Sequence, residues 1–336
     1  MKKFRKYLFW LILGALSTYF AEVVTASTPF PFFTLPGLLV TYPFYTLNML
    51  VFAYVAFQKR KVDLYTLFLA GQVFGLFEAY GTKMLWSPGW GAEPKFLGIS
   101  VIPFLLLIFL WHPLMSFALP ILIAESYLIS SNEVVTGIPG WISRYLGNKR
   151  ILYVIFVLFV LFCAINQAVN SPSKMVSLLS PSASWIPILL SIWLWRRKGL
   201  NFSLRELLPT KREISVVFPF FLLMYALLGI YLFPEGIPQL EEQAGVWVLY
   251  AFFGALLYFD VKSPHSEVAN VPQEVPREIF ASFGFVVAFV AYLLPKSVPL
   301  VVVSWVPGVA VGISIFCCAV RRIFKIFPNP HEEGLK

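Results

Sequence analysis

The sequence predicts an all-α, polytopic transmembrane helical bundle of about ten spans with both termini cytoplasmic. Composition, the continuity of the apolar runs and the placement of the cations predict it. The 336 residues are 59% hydrophobic, 18% aromatic and only 13% charged, with a mean hydropathy of +0.77. A soluble domain has about 45–50% apolar residues and roughly a quarter charged. A globule of this size in water still needs a polar exterior, so the bilayer is the expected solvent. Runs such as 151–164 and 214–233 are apolar without a break. A membrane β-barrel would alternate apolar and polar residues instead.

The spans fall at 7–24, 35–57, 64–82, 97–129, 151–169, 176–195, 214–233, 244–261, 279–294 and 299–320. Crossing the hydrocarbon takes about 20 helical residues. The run 97–129 is interrupted by His112-Pro113 and reads either as one long helix or as a hairpin of two short ones. Cations decide, because Lys and Arg accumulate in cytoplasmic loops. With one helix, twenty-two of the 26 Lys and Arg lie on the N-terminal side, and only Lys83, Lys95, Lys174 and Lys296 lie opposite. With a hairpin the split falls to nine against seventeen. One helix is therefore expected, kinked where Pro113 and Pro120 each remove a backbone donor.

The remaining segments follow from this frame. Lys2 to Lys6, an apolar run and Val24-Thr25-Ala26 have the form of a secretory signal, but nine further spans favour an uncleaved first helix. The uncharged, Phe- and Pro-rich segment 25–33 is expected to lie at the interface or dip back into the protein. The basic, amphipathic segments 137–150 and 200–208 and the tail 321–336 are expected along anionic headgroups. Arg144, Arg196, Arg197, Arg321 and Arg322 are the cations assigned to that role. Ser203 and Glu206 have the spacing of a capping box.

No loop exceeds about 21 residues, so the chain reads as a single transmembrane domain over 1–336. Its first half is 1–170, its second 171–320, and a short basic tail follows. Chemistry must then use residues in the spans or short loops. The net charge of +9 sits in clusters flanking apolar runs and needs no nucleic-acid partner. Cys163, Cys317 and Cys318 all fall within spans and read as packing residues. Phosphate loops, zinc helices and nucleophile elbows are missing from the sequence. Asp63 and Asp260 are its only aspartates, so two-metal phosphoryl chemistry is not expected, nor is a metal or cofactor.

Ionisable side chains in hydrocarbon face the bundle interior and often mark function. Glu22, Glu78 and His112 lie on three different spans, and Asn166 and Gln167 end a fourth. All fall in the outer half, where they are expected to share a polar chamber with Lys83. On the third span Gly71, Gly75, Glu78 and Thr82 form one stripe at helical periodicity. Small residues four apart let another helix approach closely, so Glu78 is expected in a tight helix contact with Lys83, His112 or a Gln as partner. For His112 the plainer reading is a ring bonded to a carbonyl freed by a proline. Glu125 reads as interfacial or paired with Arg144, and Asp260, beside Lys262, as solvated.

Ala21-Glu22 with Ser27-Thr28-Pro29, then Phe77-Glu78 with Lys83 and Pro88-x-Trp90, and then His112, Ser116, Pro120 and Glu125, resemble uncharacterised multi-span membrane proteins of microbes. The match covers about residues 1–130 and implies no activity. A weaker resemblance is to CAAX-type intramembrane proteases, whose helix carries Glu-Glu-x-x-x-Arg. Glu78 and Lys83 have the outer spacing, but Ala79 replaces the second glutamate, and His112 is the one intramembrane histidine. The expected function is a small-solute transporter or permease built on the polar chamber. The alternatives are an intramembrane enzyme acting on a lipid or peptide, with Glu78 as base and His112 as its partner, and a non-catalytic scaffold.

Overall fold

The computed structural model describes residues 2–86, 94–129, 131–196, 202–264 and 276–326. Pro88, Trp90 and Arg197 lie outside them, as does the tail beyond 326.

All ten predicted runs are helical. They are α1 (Lys2–Thr18), α2 (Tyr42–Ala56), α3 (Leu64–Gly81), α4 (Val101–Leu128), α5 (Lys149–Asn170), α6 (Lys174–Arg196), α7 (Lys211–Tyr231), α8 (Leu240–Lys262), α9 (Arg277–Leu293) and α10 (Val298–Ile326). Seven helices among the described residues are long and apolar enough to cross a membrane: α4 to α8, α10, and α2 extended from Gly37. The chain is thus an all-α membrane bundle. A two-stranded hairpin pairs Lys95–Phe96 with Ile99–Ser100 before α4.

The run containing His112-Pro113 is one helix. Its middle, Leu107–Ala118, is wound as π-helix around Pro113. The wider turn replaces the register that a proline would break in an α-helix. Two further π-turns occur, Tyr19–Val23 continuing α1 and Gly37–Thr41 leading into α2. Helix starts are set locally. The Asp63 side chain accepts from the Thr66 N–H at the start of α3, and Asn148 caps α5. Ser203 and Glu206 form the expected capping box, and Thr210 with Glu213 forms another at the start of α7.

Helices α3 and α4 form the centre of the bundle, with 16 of the 18 residues of α3 buried, whereas α7 faces outward. The glycine stripe on α3 makes the central contact. A Cβ on Gly71 would collide with the Cα of Pro113, and one on Gly75 would lie 3.0 Å from both the His112 Cβ and the Leu107 carbonyl oxygen. The two backbones meet there with no side chain between them.

A substitution at Gly75 is therefore expected to wedge α3 from α4. Gly75→Leu should destabilise the protein by about 1–3 kcal/mol, read as a lower thermal midpoint in detergent. Gly254→Ala, where a Cβ meets nothing within 4 Å, should leave the midpoint unchanged.

Candidate functional site

The α3–α4 contact delivers Glu78 to His112. The Glu78 Oε2 lies 3.3 Å from the His112 Nε2, and both residues are buried. The other ring nitrogen, Nδ1, is 3.2 Å from the Leu107 carbonyl oxygen. A carbonyl only accepts, so Nδ1 carries a hydrogen, and Nε2 faces the carboxyl; among the described residues neither Nε2 nor the Glu78 Oε2 has a hydrogen-bond partner. The ring is thus both the helix-bonded histidine and the partner of Glu78. Phe74 meets it edge-on at 5.0 Å. The pair can exist as carboxylic acid with imidazole or as carboxylate with imidazolium, two states of equal net charge differing in the position of one proton.

Glu22, in the π-turn after α1, stands next to this pair. Its Oε1 accepts from the Tyr45 hydroxyl at 2.7 Å, and its Oε2 accepts from the Thr28 hydroxyl at 2.7 Å. Glu22 and Glu78 are close enough to act on each other electrostatically, and both act on Tyr45. Glu78 also acts on Tyr225 of α7, whose hydroxyl donates to Asn48 Oδ1 at 2.7 Å. Side chains from α1, α2, α3, α4 and α7 thus form one polar cluster. Glu22 and His112 both occupy π-turns, which recur at functional positions because they displace a side chain from the regular helical register. Tyr45, Asn48 and Tyr225 were not singled out in the sequence. Asn48 inside an apolar run was a usable signal, whereas no pattern separates these two tyrosines from the other thirteen.

Other expected members have different partners. Lys83, at φ +59°, donates to the Leu228 and Leu232 carbonyls at the C-terminal end of α7, where a cation complements the helix dipole. Asn166 accepts from the Trp305 indole at 2.7 Å, and Gln167 donates to the Val23 carbonyl at 2.5 Å. The segment 25–33 folds back: Thr28 reaches Glu22, and the Pro29 carbonyl accepts from Ser180.

Three expectations at the basic end are corrected. Asp260 is fully buried, not solvated. Its Oδ2 accepts from Lys59 Nζ at 3.0 Å and from the Thr66 hydroxyl at 2.7 Å, and its Oδ1 binds Arg322. Arg322 also reaches Asp63 at 2.5 Å and lies over the Tyr65 ring at 4.7 Å, so it points inward instead of toward lipid. Two distant aspartates meet here, each matched by Lys59 and Arg322. Their separation in sequence hides the match from any local motif. Glu125 does not pair with Arg144. It accepts from the Val134 and Val135 N–H groups at 2.7 Å and from Ser131 at 2.8 Å, holding the start of the short helix Glu133–Thr136. Arg144 stacks on Tyr145, and Arg321 is exposed. Among the described residues, no three His, Cys, Asp or Glu gather as metal ligands.

Asp63 lies just outside the α3 span. Burial opposes its ionisation, but Arg322, Lys59 and the Thr66 N–H outweigh burial and hold its carboxyl below the usual range. A depressed folded value gives stability that is present above the unfolded value, about 3.9, and lost as pH falls through the lower folded one. The gap in thermal midpoint between the wild type and Asp63→Asn should therefore be full at neutral pH and close below about pH 4. Arg322→Gln leaves buried carboxylates under-compensated and should cost about 3–5 kcal/mol at neutral pH, measured by denaturant unfolding in detergent.

No solved structure matches the chain. An uncharacterised protein of Archaeoglobus fulgidus is 33% identical over 322 residues, covering 93% of this chain and 96% of that protein. Residues 11–326 match one family from the first helix to the last. The chain belongs to that uncharacterised membrane protein family.

Proposed function

We propose that this protein is a small-solute permease whose transport step moves a proton within the Glu78–His112 pair. The observation that carries the reading is the 3.3 Å contact between these side chains, with the far ring nitrogen bonded to Leu107. A buried acid and base that exchange a proton without changing net charge can change partner and geometry at little electrostatic cost. That property suits a coupling element inside a membrane. Glu22, Tyr45, Asn48 and Tyr225 surround the pair with donors and acceptors able to take a polar solute.

The topology belongs to the same proposal. Ten spans with both ends in the cytoplasm follow from the cation distribution. The predicted spans that fall outside the seven long apolar helices are α1 with its π-turn, α3 and α9. Of these, α3 carries Glu78, and Glu22 lies in the π-turn that continues α1.

At 3.3 Å the same pair is a small tightening away from the reach of a general base and its partner, which keeps an intramembrane enzyme acting on a lipid or peptide as the second reading. The two readings separate on what happens to the solute. Proteoliposomes with an imposed pH gradient are incubated with a pooled extract of small metabolites, and their contents are compared by mass spectrometry. A permease accumulates one compound unchanged. Accumulation should fall at least tenfold when the gradient is collapsed or when Glu78 is replaced in Glu78→Gln. Chemical conversion of a compound independent of the gradient would favour the enzyme. Identical contents in wild-type, Glu78→Gln and empty vesicles would overturn both.

A further inference from the structure

A second site lies at the basic end, away from the Glu78 cluster. Phe20, Leu119, Ile123, Phe156, Phe159 and Phe283 line a cavity of about 220 Å³ between α1, α4, α5 and α9. The surface of this cavity is almost wholly apolar. At its rim Tyr127 stacks on Phe280, with centroids 4.3 Å apart and planes at 15°.

Two arginines sit beside that rim. Arg196 donates Nη2 to the Tyr127 carbonyl at 3.0 Å, while its Nε is buried with no hydrogen-bond partner among the described residues. Arg277, exposed at the start of α9, lies one turn before Phe280 and close enough to Arg196 for their charges to repel. Among the described residues neither arginine is in an ion pair. Glu278, next to Arg277 in the chain, is exposed and among the described residues forms no ion pair with either. Two neighbouring guanidiniums call for an anion, and arginine forks match phosphate oxygens. The adjoining cavity calls for hydrocarbon.

We propose that this site holds one anionic phospholipid, with a hydrocarbon chain in the cavity and its phosphate between Arg196 and Arg277. A zwitterionic lipid would bring its own cation to the arginines, and a free phosphate would leave the cavity unfilled. The proposal is independent of the permease reading.

The test uses the full chain, stripped of lipid in detergent and titrated by native mass spectrometry. The probes are phosphatidylglycerol, phosphatidylcholine with the same chains, and inorganic phosphate. Phosphatidylglycerol should bind at least tenfold more tightly than phosphatidylcholine. That preference should vanish in the Arg196→Gln, Arg277→Gln double variant. Arg277→Gln alone, at an exposed position, should weaken it without lowering the thermal midpoint. Ser126 on α4 also lines the cavity, and Ser126→Trp, which fills it, should weaken both lipids. Equal binding of the two lipids to the wild type, or an undiminished preference in the double variant, would show lipid adsorbed around the belt only and overturn the site. Displacement of phosphatidylglycerol by an equal concentration of inorganic phosphate would mark a free-anion site and overturn the lipid assignment.

Discussion

A carboxyl and an imidazole on two helices reach each other within a bilayer only when little stands between the backbones. Gly71 and Gly75 remove what would stand there, and the π-helical middle of α4 turns Pro113 and His112 into the space they leave. Both adjustments are needed. A regular α4 with a proline at 113 would lose its register, and a side chain at 75 would press on the ring itself. The Glu78–His112 pair, its neighbour Glu22 and the burial of α4 all depend on this one approach.

The features visible in the sequence were those governed by local rules. Apolar runs marked the ten helices, because hydrocarbon demands internally bonded backbone. The stripe from Gly71 to Thr82 showed which face of α3 would meet another helix, and the Ser203–Glu206 spacing showed a helix start. The cation distribution favoured one helix through His112-Pro113, and the chain is one helix there. Partners set by three-dimensional packing were not visible. Asp260 looked like a solvated residue at a span end because Lys59 and Arg322 lie 201 and 62 residues away from it. Glu125 looked as though it needed a cation, yet backbone N–H groups at a helix start serve it. The carbonyls of α7 that Lys83 reaches lie some 145 residues away from it.

The two buried clusters follow different electrostatic logic. Around Glu78 the neighbours are an imidazole, a second carboxyl, tyrosines and an asparagine, with no lysine or arginine among the contacts described. At the basic end two carboxylates face a lysine and an arginine, so charge is matched by fixed opposite charge and rigid geometry. The first arrangement permits a change of state. The second resists one, and it ties the loop between α2 and α3 to the ends of α8 and α10.

That tie also has an order in time. Lys59 and Asp63 are synthesised together, Asp260 some two hundred residues later, and Arg322 last of all. Until α10 has been made and seated, two buried carboxylates have one lysine between them, and the basic end cannot close around a neutral cluster. A chain interrupted before Arg322 would leave Asp63 and Asp260 with Lys59 as their one cation among these groups.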